Sequence, residues 1–198
     1  MLLGYAFGLI SPAAFVSKIK NTNLKNVGTK NLGASNTFLS IGRTWGVLVM
    51  IIDIFKAFCA YKLARIAFPQ LAFSGILAGI GAILGHVFPF YMKFKGGKGL
   101  AAYAGLILAF DPSMFWCLLV ICITLMLLVN YSVVVPMTSA VLFPIFCIMR
   151  SYSASIVLCA ALAGGIIAVS HFEIVLRIKN KEEQKVRDVI KEKVFNIT

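Results

Sequence analysis

The residues best suited to chemistry lie in one run, Gly85-His86-Val87-Phe88-Pro89-Phe90-Tyr91-Met92-Lys93-Phe94-Lys95-Gly96-Gly97-Lys98-Gly99. Three glycines within four residues let backbone N–H groups converge, because glycine reaches positive φ without steric cost. A concave set of N–H groups binds anions, phosphate above all. Lys95 and Lys98 add positive charge, and His86 adds a group able to donate or accept a proton. The residues after Gly99 read as a new helix, whose positive N-terminal end would face the same anion. A phosphate-binding turn at the end of a long apolar helix points to chemistry on a phosphorylated lipid precursor.

Two other clusters are candidates. Residues 18–43 are rich in Asn, Gly and Thr and include Lys25, Gly28, Thr29, Lys30, Asn31 and Asn36. A connection this long without periodicity is often functional, and its side chains offer hydroxyl and amide groups. Asn36 or Ser40 could instead cap a helix. Near the other end stand His171, Arg177 and Glu183, each six residues from the next. On a continuing helix, His171 and Arg177 would be separated by about 240°. They are expected to share a site only where the helix ends or bends. The tail spacing also predicts a favourable Glu183–Arg187 pair and an unfavourable Asp188–Glu192 pair, both at i,i+4.

The elements positioning these clusters are apolar. Of the 198 residues 60% are hydrophobic and 13% charged, about half the charged share of a soluble domain. This predicts an all-α polytopic membrane helix bundle forming a single domain over 1–198, with a basic tail at 180–198. Seven spans are expected at about 1–17, 45–67, 70–92, 99–111, 113–129, 133–149 and 153–172, the fourth short for a bilayer. Proline starts a helix more readily than it continues one, so Asp111-Pro112 separates the fourth and fifth. The uncharged Asn130-Tyr131-Ser132 boundary leaves six spans as an alternative.

The formal net charge is +12. Basic residues follow the first span (Lys18, Lys20, Lys25, Lys30, Arg43), the third (Lys93, Lys95, Lys98) and the last (Arg177, Lys179, Lys181, Lys185, Arg187, Lys191, Lys193). Lys62, Arg65 and Arg150 fall toward the other side. By the positive-inside rule the N-terminus is outside and the C-terminus cytoplasmic. The basic excess is thus read as topology and attraction to anionic lipid, not nucleic-acid binding. Asp53 and Lys56 lie three apart in the second span. Charges in lipid are costly, so the two should pair inside the bundle, either as a purely structural pair or as a strut for the loop motifs. The five cysteines all sit in apolar spans without metal-ligand spacing, and read as small buried hydrophobes. No metal or cofactor is expected.

Together these residues resemble the bacterial glycerol-3-phosphate acyltransferase family that uses acyl phosphate as donor. The run from Gly85 to Gly99 is very close to that family's motif Gly-His-x-Phe/Tyr-Pro-x-x-x-x-Phe-Lys-Gly-Gly-Lys-Gly. Gly28-Thr29-Lys30-Asn31-Leu32-Gly33-Ala34-Ser35-Asn36 is similar to Gly-Ser-Gly-Asn-x-Gly-Ala-Thr-Asn. The Asp53/Lys56 pair and His171, Arg177 and Glu183 match as well. The resemblance implies a seven-helix bundle in the bacterial plasma membrane with its active site facing the cytoplasm. It also implies acyl transfer from acyl phosphate to glycerol 3-phosphate, yielding lysophosphatidate and phosphate. In that scheme Gly96, Gly97, Lys98 and Gly99 cradle the phosphate of glycerol 3-phosphate. Lys25, Gly28, Thr29, Lys30, Asn31, Asn36, His86, Lys95 and Arg177 complete substrate binding, and His171 is catalytic. Asp53, Lys56 and Glu183 give structural support. The chain departs from the family pattern at Lys25, Thr29, Lys30, Leu39, Ala102, Ile174 and Lys181, and in the Tyr131–Pro136 turn. These departures favour, as alternative, a divergent non-catalytic paralog that binds phosphorylated lipid precursors. A small anion transporter is a further alternative, against which no inverted repeat is apparent. Oligomeric state is left open.

Overall fold

The computed structural model describes residues 1–194, and the last four residues of the expected 180–198 tail lie outside the described residues. Among the described residues the secondary structure is helical, with no strand.

The first span is not one helix. α1 (Leu2–Gly8) and α2 (Pro12–Ile19) are separated by Leu9-Ile10-Ser11. Proline removes an N–H and disfavours helix in the residue before it. Ser11 restarts the chain as N-cap, its Oγ accepting from the Ala14 N–H at 3.4 Å. The loop that follows contains a helix that periodicity did not reveal, α3 (Ala34–Ser40). Its N-cap is Gly33, and the next helix is capped by Gly42, so neither Asn36 nor Ser40 serves as a cap.

α4 (Arg43–Ala67) carries Asp53 and Lys56 on a buried stripe with Gly46, Val49, Ala57, Ala60 and Ala64. α5 (Ser74–Val87) is shorter than the expected 70–92, because Phe88-Pro89 ends it before a 3-10 turn at Phe90–Met92. α5 is buried on nearly every face and forms the centre of the bundle. It lies against α1 through small residues. A Cβ on Gly4 or Gly8 would collide with the backbone of Ala78 or Ala82, and one on Gly81 or Gly85 with that of Met1 or Tyr5. Both helices thus present a Gly-x-x-x-Gly pair, the packing device of helices that meet in lipid.

α6 (Leu100–Phe110) is short, and α7 (Pro112–Val129) begins at the expected proline. Asp111 caps α7, with Oδ1 accepting from the N–H groups of Ser113 and Met114 at 2.9 and 3.1 Å. Asn130, in the left-handed region at φ 67°, closes α7 before α8 (Val134–Met149). α9 (Ala154–Lys179) runs unbroken seven residues past the expected end at 172. α10 (Val186–Val194) follows. Glu183 precedes α10, so the expected Glu183–Arg187 pair on one helix does not form; Glu183 bridges Arg177 instead, at 3.2 Å.

Among the described residues, four helical stretches are long and apolar enough to cross a membrane: Leu2–Ile19, Ser74–Met92, Pro112–Val129 and Ala154–Lys179. The core joins α4, α5, α6, α7, α8 and α9 around Tyr103, Leu106, Phe143 and Ile167, each fully buried. Tyr103 and Phe143 meet edge to face with centroids 5.9 Å apart, and the Tyr103 hydroxyl donates to the Ser139 carbonyl at 3.2 Å. Outward-facing side chains such as Phe55, Trp116, Val120, Leu128 and Val169 are apolar and exposed, as a lipid-facing surface requires. Of the cysteines, Cys122, Cys147 and Cys159 are buried as expected, whereas Cys117 is exposed on that surface.

Candidate functional site

The first loop is organised by one side chain. Asn36 is fully buried. Its Oδ1 accepts from the Thr29 N–H at 2.9 Å, and its Nδ2 donates to the carbonyls of Leu24, Val27 and Asn31 at 2.8, 3.1 and 2.9 Å. Buried amides must find such partners, and here they are the loop's own backbone. The turn needs left-handed backbone at Gly28 (φ 56°) and Lys30 (φ 56°). A Cβ at Gly28 would collide with Asn36 Oδ1. The loop thereby exposes Thr29 and Asn31 to a cavity.

The Gly96-Gly97-Lys98-Gly99 turn differs from a simple cradle of amides. The Gly96 N–H donates to the Val87 carbonyl at 3.0 Å and the Gly97 N–H to the His86 carbonyl at 3.1 Å. Those two amides satisfy the open C-terminal carbonyls of α5. Gly96 and Gly97 are needed for close approach. A Cβ on Gly96 would meet the His86 carbonyl, and one on Gly97 would meet His86 Nε2 and the Leu32 carbonyl. Positive φ falls instead on Gly99 (83°), and on Lys93 and Phe94. The amides left for an anion are those at the start of α6, where the first helical hydrogen bond is Tyr103 N–H to Gly99 carbonyl at 2.9 Å. Lys98, Gly99, Leu100 and Ala101 all line the cavity there.

Lys56 and Asp53 pair as expected, Nζ to Oδ1 at 2.7 Å, and are 3% and 1% exposed. The pair does more than neutralise itself. Lys56 Nζ also donates to the carbonyls of Gly8 and Ile10, at 3.2 and 2.7 Å, where the break between α1 and α2 leaves them open. It lies 2.8 Å from His86 Nδ1. One ammonium thus ties α4 to the helix break and to the histidine that opens the glycine-rich run.

From α9 come His171, Ile174 and Arg177, all lining the same cavity. The expectation that an unbroken helix would keep His171 and Arg177 apart is therefore corrected. The cavity is wide enough for both positions to line it from one helix. His171 is buried, with Nδ1 2.9 Å from the Ile167 carbonyl. Arg177 bridges Glu183, which also lines the cavity. Burial pushes the Lys98 amine below the ordinary lysine value of 10.5, against the opposing pull of Glu173 and Glu183, while Arg177 adds to the lowering.

The cavity has a volume of about 520 Å³. One end is polar, with Thr29, Asn31, His86, Lys98, His171 and Arg177. The other runs between α6, α7 and α8 past Ile107, Leu118, Leu119, Cys122, Val135 and Pro136. The latter residues were not anticipated. Their helices are apolar on all sides, so the sequence offers nothing to separate cavity-facing from lipid-facing positions. Among the expected site residues, Lys25, Gly28, Lys30, Asn36, Lys95, Gly96 and Gly97 do not line the cavity, nor does Lys56.

An open helix start beside Lys98, two buried histidines and an apolar channel in one cavity suit a membrane enzyme that handles an amphiphile. The glycerol-3-phosphate acyltransferase family profile matches residues 1–181, and the chain belongs to that family. A glycerol-3-phosphate acyltransferase of Bacillus cytotoxicus is 34% identical over 194 residues, covering 98% of this chain and 96% of that protein. One from Aquifex aeolicus is 28% identical, covering 93% and 96%. Among solved structures, the glycerol 3-phosphate form of PlsY, an integral membrane glycerol 3-phosphate acyltransferase, superposes with a TM-score of 0.86 at 28% identity over 92% of this chain and 91% of that one. The lysophosphatidic acid form of PlsY gives 0.86 at 26% identity over 95% of each.

Proposed function

We propose that the protein transfers a fatty acyl group from acyl phosphate to glycerol 3-phosphate, giving lysophosphatidate and inorganic phosphate. The observation that carries this reading is the two-ended cavity, polar at the start of α6 and apolar between α6, α7 and α8. A phosphorylated head and an acyl chain fit such a cavity together.

In this reading, Lys98 and the open amides at the start of α6 hold the phosphate of glycerol 3-phosphate, with Arg177 beside them. Thr29 and Asn31 hold the head of the acyl phosphate, whose chain enters the apolar channel. The hydroxyl of glycerol 3-phosphate attacks the acyl carbon, and the new ester C–O bond forms as the anhydride C–O bond to phosphate breaks. His171 Nε2 takes the hydroxyl proton and returns it to the leaving phosphate. Acyl phosphate is already activated, so positioning and charge neutralisation supply most of the rate. Asn36, Gly28, Gly96 and Gly97 act by shaping the loop and the turn, and Lys25, Lys30 and Lys95 add positive charge around the mouth. Glu183 orients Arg177. Residues 1–198 act as one domain in a bacterial plasma membrane, N-terminus outside and site facing the cytoplasm. The basic segments that follow α2, α5 and α9 meet at this one site, which supports that orientation under the positive-inside rule.

The test is phosphate release from palmitoyl phosphate by purified protein in detergent, with and without glycerol 3-phosphate. Release that depends on glycerol 3-phosphate is expected. His171→Ala should slow it by about 10²–10⁴-fold. Gly97→Ala should reduce it by displacing His86 and Leu32. No release from folded protein would sink the reading.

A further inference from the structure

The chain has two histidines, both buried and both lining the cavity. Their partners fix opposite ring nitrogens. An ammonium has three protons and no lone pair. The three hydrogen bonds of Lys56 Nζ run to the Gly8 carbonyl, the Ile10 carbonyl and His86 Nδ1. Asp53 Oδ1, 2.7 Å from Nζ and 3.3 Å from His86 Nδ1, supplies the counter-charge. Nζ is the nearer of the two neighbours of His86 Nδ1, and a proton on that nitrogen would face the ammonium's own protons at 2.8 Å, so Nδ1 accepts from Nζ and the ring proton sits on Nε2. That nitrogen stands against Gly97, and no described residue accepts from it. His171 is the reverse case. A carbonyl can only accept, so His171 Nδ1 donates to Ile167 at 2.9 Å, and its Nε2 keeps the lone pair.

We propose that the cavity is furnished with one donor imidazole, His86, and one acceptor imidazole, His171, and that Lys56 is the positioning residue that sets the first. This rests on the acyl-transfer reading. His86 Nε2–H donates a hydrogen bond to a phosphoryl oxygen of the bound substrate. His171 Nε2 receives the attacking hydroxyl's proton and passes it to the departing phosphate. With the tautomers exchanged, His86 would turn a lone pair toward a phosphate anion, and His171 would have no lone pair for the proton. Lys56 thus links the break in the first span to the protonation pattern of the site.

The experiment uses the full chain labelled with ¹⁵N-histidine, in detergent at neutral pH. Two rings give two spectra, assigned by the loss of one in His86→Gln. Expected are a protonated Nε2 with bare Nδ1 for His86, and a protonated Nδ1 with bare Nε2 for His171. A proton on His86 Nδ1, alone or together with Nε2, overturns the proposal, as does a proton on His171 Nε2. In Lys56→Met, His86 should lose its single tautomer while His171 keeps its own; an unchanged His86 pattern overturns the role of Lys56. The wild-type spectrum decides the tautomers even where Lys56→Met does not fold. A glutamine amide nitrogen reaches the Nε2 position and an asparagine amide the Nδ1 position. His86→Gln should therefore retain about tenfold more turnover than His86→Asn; the reverse order overturns the donor role. The tautomers are read without turnover. The expected spectrum in a protein that releases no phosphate refutes acyl transfer alone, and the wrong tautomers in an active protein refute this proposal alone.

Discussion

Lys98 is the charge whose chemistry depends most on its depth. Its amine is pushed down by burial, and Glu173 and Glu183 restore only part of the loss. The cation exists below that lowered value and disappears as pH rises through it. The KM for glycerol 3-phosphate should accordingly stay flat near neutrality and climb on the alkaline side before the ordinary lysine value of 10.5 is reached. Lys98→Arg, which holds its charge at any accessible pH, should remove that climb. A pH profile of KM for the two proteins checks this. At this scale the sequence was informative where a residue type carries its own chemistry. Lys98, His171 and the Asp53–Lys56 pair could be singled out from type and spacing. The spent amides of Gly96 and Gly97 could not, because a Gly-Gly-Lys-Gly string reads alike whether glycine serves positive φ or close approach.

Elements show a different kind of legibility. Pro112 and Asp111 mark the start of α7 in the sequence, since a fixed φ and a capping carboxylate act locally. The break between α1 and α2 was missed although Ser11-Pro12 stood in view, because the long apolar run outweighed it. What sustains the break is a distant lysine. α3 was missed because its seven residues show no strong periodicity and its existence depends on Asn36 gathering the loop. Within that loop, Lys30 occupies a left-handed position that costs a non-glycine residue about 1 kcal/mol. Lys30→Gly should raise the melting temperature in detergent by about 2–4 °C. An unchanged or lower value would mean that Lys30 makes a stabilising contact large enough to offset its backbone.

At the scale of the whole molecule, the proposed orientation rests on the distribution of charge. The turns around Phe68–Ser74 and Ser151–Ser153 lie at the ends of helices remote from the cavity's polar mouth. Single cysteines placed at Gln70 and Ser151, in a chain whose five native cysteines are replaced, should react with an impermeant maleimide added to intact cells. Cysteines at Lys20 and Lys181 should react only after the membrane is opened. The reverse pattern would invert the bundle. Helix bundle and lipid setting were legible because composition is a whole-chain property. The cavity was not, because it arises from which faces of α6, α7 and α8 turn inward. One feature of the assembled bundle reaches back into its biogenesis. The carbonyls at Gly8 and Ile10 are satisfied by a side chain 48 and 46 residues further on. The break between α1 and α2 is therefore made before the group that satisfies it, and its hydrogen bonding is completed only when the helix bearing Lys56 lies beside it. Until then these two carbonyls depend on the insertion machinery, or on water at the membrane surface, for the hydrogen bonds their own helix does not supply.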